Sequence, residues 1–226
     1  MELKDLFRRQ QKLLVQIARQ GRFELRPDRE TYDKILATRT LWLEDASIDL
    51  RFLRQLPQLW QLVLKGGGLT AVPEVVWELS RLRELNCSRH TIEQLDPRLA
   101  QLEQLEALYL DHNQLRELPD GVPLPKLEDL RVAHNDLEAL PDRLGEWQAL
   151  EELWVGHNRL TQLPDSLSQL RKLQVLDFRH NKIQLDFDCL QELEALHTIG
   201  IQGNPISRRK LLRWLRERGR TEVKII

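Results

Sequence analysis

Cysteine is scarce in this 226-residue chain: Cys87 and Cys189 are the only two, and they lie far apart. A disulfide framework of the kind that staples small secreted domains cannot be built from them, which favours a reducing compartment. Long apolar runs are lacking as well. None approaches the roughly 18 residues that a membrane-crossing helix requires, so no membrane insertion is expected. Met1 to Arg9 are broken up by charge and hold no apolar segment of the signal-peptide type, which points to a cytoplasmic protein rather than one secreted through a signal peptide. An excess of charge of either sign is missing too, since Lys+Arg is 34 against Asp+Glu 35. A nucleic-acid binder needs a basic surface to release phosphate counterions, and a binder of anionic lipid needs a polybasic segment; the balance speaks against both.

The usual carriers of chemistry are absent. There is no HExxH, CxxC, GxSxG or GxxxxGK spacing. Lys65-Gly66-Gly67-Gly68 has the glycines of a phosphate loop but not the following Lys-Ser/Thr pair, and is read as a turn. Asn86-Cys87-Ser88 spells a glycosylation sequon inside a predicted strand and is read as accidental. No enzyme is expected, hence no catalytic residue, no metal and no cofactor.

What the chain does contain is a repeat, and a period of 20–50 residues decides architecture before any local feature does. Leu105, Leu108, Leu110, Asn113, Leu115 and Leu118-Pro119 recur as Leu127, Leu130, Val132, Asn135, Leu137 and Leu140-Pro141. They recur again as Leu150, Leu153, Val155, Asn158, Leu160 and Leu163-Pro164. Leu173 to Ile183 and Leu196 to Ile206 continue the series, with Asn181 and Asn204 in the asparagine slot. Weaker units precede these, with His90 and Gly67 where asparagine is expected, and a degenerate one begins near Thr38 with Leu41, Leu43, Ala46 and Ile48.

These residues resemble the leucine-rich-repeat pattern LxxLxLxxNxLxxLPxxLxx, of the 22–23-residue intracellular or bacterial type. The resemblance implies an α/β fold: a curved right-handed solenoid with a parallel β-sheet on its concave face and helical caps at both ends. About eight repeats are expected over residues 38–206, between an N-terminal helical cap at 1–37 and a C-terminal one at 207–226. One unit cannot bury its apolar edge alone, so neighbours must stack and the open ends need covers. Leu3, Leu6, Phe7, Leu13, Leu14 and Ile17 stand at helical spacing over residues 2–20. Ser207 is positioned to cap a helix with Leu211, Leu212, Trp214 and Leu215, ended by Gly219, after which Thr221 to Ile226 fits a short strand. Asn113, Asn135, Asn158, Asn181 and Asn204 should satisfy backbone groups of adjacent turns.

Function should lie on the outward positions of the concave sheet, which carry no packing duty. The residues between the paired core positions include Trp42, Tyr109, Arg131, Trp154 and Asp177, and two positions on stand Glu44, Asp111 and Arg179. Trp, Tyr and Arg dominate interface hot spots. Small neighbours Ala133, Gly156 and Gly200 should leave room beside them. Trp42 has two readings, exposed anchor or residue packed beneath the N-terminal helix, and Trp147 is read as core. His112, His134, His157 and His180 each precede an asparagine and should stack in one file at about the 4.8 Å strand spacing. Three readings of this file stay open: repeat consensus copied by duplication, a pH response, and metal binding, against which flat stacked imidazoles poorly match tetrahedral zinc.

The resemblance thus implies a non-enzymatic protein-binding module, in signalling or as a bacterial effector delivered into a host cell; the Arg- and Gln-rich, Lys-poor composition points toward a bacterial source. The partner would be a protein, engaged by a monomer or a homodimer. Two alternatives are the sensor part of a larger GTPase or ubiquitin ligase, against which the short stretch after the C-terminal cap weighs, and a module for homotypic assembly.

Overall fold

A computed structural model describes residues 11–21, 26, 28–43 and 50–226. Each turn of the chain contributes one short strand to a single parallel sheet, which among the described residues runs in sequence order. The strands are β1 Thr40–Leu43, β2 Gln61–Leu64, β3 Glu84–Asn86, β4 Ala107–Tyr109, β5 Asp129–Arg131, β6 Glu152–Trp154, β7 Val175–Asp177, β8 Thr198–Gly200 and β9 Lys224–Ile225. The two-residue alternation of strands sends apolar residues inward, so Leu62, Leu85, Leu108, Leu130, Leu153, Leu176 and Ile199 form a continuous buried file. Return passes are closed by short 3-10 turns, such as Pro97–Gln101, Leu144–Glu146 and Asp165–Gln169, that bury Leu99, Leu144 and Leu167 on the opposite side. Trp147 is core, its indole N–H donating to the Val122 carbonyl at 2.9 Å.

The turn after each strand would leave peptide groups stranded in the core, and the asparagine file takes them up. Asn135 Oδ1 accepts from Leu115 N at 3.0 Å while its Nδ2 donates to the carbonyls of Leu110 and Val132, both at 3.0 Å. Asn113, Asn158, Asn181 and Asn204 repeat this pattern one turn apart. His90 does the same work with a ring: Leu69 N donates to Nδ1 at 3.3 Å and Nε2 faces the Leu64 carbonyl at 3.0 Å. A backbone N–H only donates and a carbonyl only accepts, so these two contacts select the neutral tautomer with hydrogen on Nε2.

The position just before the asparagine slot is left-handed in turn after turn. Arg89, His112, His134, His157 and His180 have φ between 54° and 65°, and Gly66 and Gly203 occupy equivalent places at 113° and 79°. Non-glycine residues enter this region rarely, and the five described residues that do so sit where the strand must turn sharply away from the sheet.

Both ends are covered. Helix α1, Gln11–Gly21, buries Leu13, Leu14 and Ile17, and its Gln20 accepts from Trp42 N at 2.9 Å and donates to the Trp42 carbonyl. That clamp occupies backbone groups on the outer edge of β1 that would otherwise invite strand pairing. Helix α2, Arg29–Leu36, is capped by Asp28, which accepts from Thr31 N at 2.8 Å. Helix α3, Arg208–Glu217, is capped by Ser207 and buries Leu211, Trp214 and Leu215, and the chain then returns as β9 beside β8. Described helix α1 starts at Gln11; Leu3, Leu6 and Phe7 of the expected helix, and Glu44, Ala46 and Ile48 of the first unit, lie outside the described residues.

Candidate protein-binding face

The outward residues of the strands line up in register: Trp42, Val63, Asn86, Tyr109, Arg131, Trp154, Asp177 and Gly200 are consecutive partners across the sheet. The centre of this file is a layered cluster. The Arg131 guanidinium lies between two rings, 5.2 Å from the Tyr109 centroid and 5.3 Å from that of Trp154. It is forked onto Asp129 at 2.9–3.1 Å and reaches Glu152 at 3.3 Å. Glu152 in turn accepts from the Trp154 indole N–H at 2.8 Å. Hydrogen bonding to Asp129 holds Arg131 firmly cationic, and burial together with the Asp129 carboxylate pushes the Tyr109 phenol up from its ordinary value. Two carboxylates, one guanidinium and two rings thus fix one another, so the cluster is ordered before any partner arrives.

The leucine-rich-repeat family profile matches residues 125–183 and 148–206. Among solved structures the chain is similar to a leucine-rich-repeat protein of Leptospira interrogans, at 26% identity and a TM-score of 0.73, over 86% of this chain and 52% of that one. The chain folds as a leucine-rich-repeat solenoid. An internalin of Listeria monocytogenes shares the fold at 18% identity and a TM-score of 0.67, covering 87% of this chain and 56% of that one. So does the ectodomain of the Arabidopsis thaliana receptor kinase GASSHO1/SCHENGEN3, solved in complex with Casparian strip integrity factor 2, at 21% identity and a TM-score of 0.65, over 78% of this chain and 23% of that one. The solenoid therefore spans about half the length of these two bacterial proteins. No curated protein sequence matches it.

Other outward residues of the solenoid differ from the expectation of free anchors. Asp177 is buried, at 4% exposure, and accepts from the Arg179 guanidinium at 2.7–3.0 Å and from Arg179 N at 2.9 Å. The gap expected beside Gly200 is filled by this pair, because a Cβ on Gly200 would stand 2.8 Å from Asp177 Cγ and 3.1 Å from Arg179 Cγ. Asp111 is committed to the Ala133 N–H at 2.8 Å, and burial raises its carboxyl from the ordinary value. Trp42 is 50% exposed, with the Lys65 ammonium 5.4 Å from its ring, while Gln20 of the N-terminal helix holds its backbone.

The histidine rings stack closer than the strand spacing, with centroids 4.2, 4.0 and 4.2 Å apart along His112, His134, His157 and His180. They are nearly parallel, at 8° to 23°. Among the described residues no group of three or more His, Cys, Asp or Glu is arranged to hold a metal ion. No described helix is long and apolar enough to cross a membrane. The carboxylates Asp129 and Glu152 lie outside the residues expected on this face; their signal in the sequence is opposite charge two residues from Arg131 and on its neighbouring strand.

Proposed function

We propose that this solenoid binds a protein partner, without catalysis, on the concave face around Arg131. Leucine-rich repeats commonly serve as protein-interaction modules, and the family members are typically non-enzymatic. The observation that carries the reading is the Tyr109–Arg131–Trp154 stack, which presents hot-spot residue types in one preorganised layer. Side chains already held in place lose little entropy on binding, so the stack favours affinity for a complementary surface. The Arabidopsis receptor was solved with its factor bound, and the Leptospira relative supports a bacterial setting for this chain. Both described cysteines are free, in keeping with a reducing compartment. A signalling or effector role and a monomeric state belong to the same reading.

Affinity capture from the native cell with wild-type protein, Trp154→Ala and Arg131→Glu tests it. The two variants should lose the same captured protein. An unchanged captured set would direct attention to the opposite face or the caps, and a solution mass of twice the chain, lost in either variant, would assign the stack to self-association.

A further inference from the structure

A second recognition site lies away from the concave stack, at the edge of the sheet where the strands begin. Residues Arg39, Trp60, Arg83 and Glu106 immediately precede β1 to β4 and form a file, each tied to the next by backbone hydrogen bonds of 2.7–3.1 Å. Two residues upstream, Gln58, Arg81 and Gln104 form a parallel file. Between them is an open groove of about 780 Å³.

Three guanidiniums face this groove against one carboxylate. Glu106 is engaged by Arg83 at 3.2 Å in an exposed pair of the kind that contributes little. Arg81 reaches only the neutral amide oxygen of Gln58, at 3.0 Å, and among the described residues Arg39 pairs with no carboxylate. Trp60 is 37% exposed beside them, one of two large apolar residues so exposed among the described residues. Nothing in the packing of the solenoid calls for a solvent-facing tryptophan ringed by arginines. Guanidinium forks match carboxylate geometry, and an indole offers an apolar wall.

We propose that this groove binds an acidic peptide segment, its carboxylates on Arg39, Arg81 and Arg83 and an apolar side chain against Trp60. Charge along the same edge sets the limits of the occupant. Past Glu106 the file continues through Glu128 and Glu151, which would repel a long polyanion such as a nucleic-acid strand. A short stretch of carboxylates fits, and the site stands independently of the concave-face reading.

Fluorescence polarisation with a labelled peptide of glutamates around one central phenylalanine tests the proposal. Its glutamine counterpart and an oligonucleotide of equal length serve as competing probes. Binding should weaken as salt rises and drop by about tenfold or more in Arg39→Glu/Arg83→Glu. Trp60→Ala should weaken it several-fold, and Arg131→Glu should leave it unchanged. All these side chains lie at the surface, and circular dichroism verifies the fold of each variant. Failure of the wild type to bind, equal binding of the glutamine peptide, tighter binding of the oligonucleotide, indifference to the double charge reversal, or loss in Arg131→Glu would each overturn the assignment.

Discussion

The Asp177 carboxylate occupies the space that Gly200 leaves open on the neighbouring strand, and from there it holds Arg179 by both side chain and backbone. A methyl at residue 200 would drive into that carboxylate, which is buried at 4% exposure and tied to Arg179. Gly200→Ala should therefore destabilise the protein by about 1–3 kcal/mol, as overpacking of a tight site does. The corresponding fall in Tm is roughly 2–4 °C per kcal/mol for a chain of this size. A thermal melt reads it, and a wild-type Tm would mean that the carboxylate has another place to go.

Arg131 makes a contrasting prediction, because its contacts are only part-buried. Arg131→Ala removes a cation flanked by two rings and leaves Asp129 and Glu152 without their shared counterion. Cation–π and surface ion-pair contributions are each small, so the loss in stability should stay near about 1 kcal/mol. Water then reaches the Trp154 ring, and its fluorescence should shift to the red in the folded variant. A denaturant midpoint far below wild type, or an unshifted spectrum, would contradict this account of the stack.

The asparagine file tests the reading of His90. Asn158→Ala strands Leu137 N and loses donors to the Val132 and Val155 carbonyls, and unpaired buried groups cost about 1–3 kcal/mol each. His90→Ala should also destabilise, since it strands Leu69 N and the Leu64 carbonyl. His90→Asn should retain most of the stability, because an amide offers the same acceptor and donor. Chemical denaturation of the three variants checks the ranking, and a His90→Asn variant as unstable as His90→Ala would show that the ring is needed for its bulk.

The spacing of repeat slots was legible because it follows from burial. Leu108, Leu130 and Leu153 must face inward, so a period of 22–23 residues translates directly into strand register. What the period does not carry is how outward residues satisfy one another. Alternation places Asp177 and Arg179 on the same side, yet only the opposite charges two residues apart hint that they neutralise each other and close over Gly200. The groove at Trp60 was equally hidden. Trp60, Arg81 and Arg83 occupy slots outside the core pattern, and they meet only because turns stack.

The stacked imidazoles give a dependence on pH whose sign follows from their surroundings. Burial first, and then the adjacent rings, pull His134 and His157 below the ordinary histidine value of 6.5, while Asp111 and Asp177 pull weakly the other way. Arg89 adds to the lowering at His134, and Arg179 to that at His157. The folded protein therefore binds fewer protons here than the unfolded chain, and stability must fall as the pH drops below about 6.5 toward the depressed values. Both rings are largely exposed, so the effect is modest. Thermal melts between about pH 7.5 and 5.5 should show a decline that is shallower in His134→Asn/His157→Asn, since asparagine tolerates the left-handed backbone of these positions and does not titrate. Parallel profiles in wild type and double variant would assign the acid sensitivity to other groups and leave the histidine file with a purely architectural part, as the residue that fills a left-handed corner turn after turn.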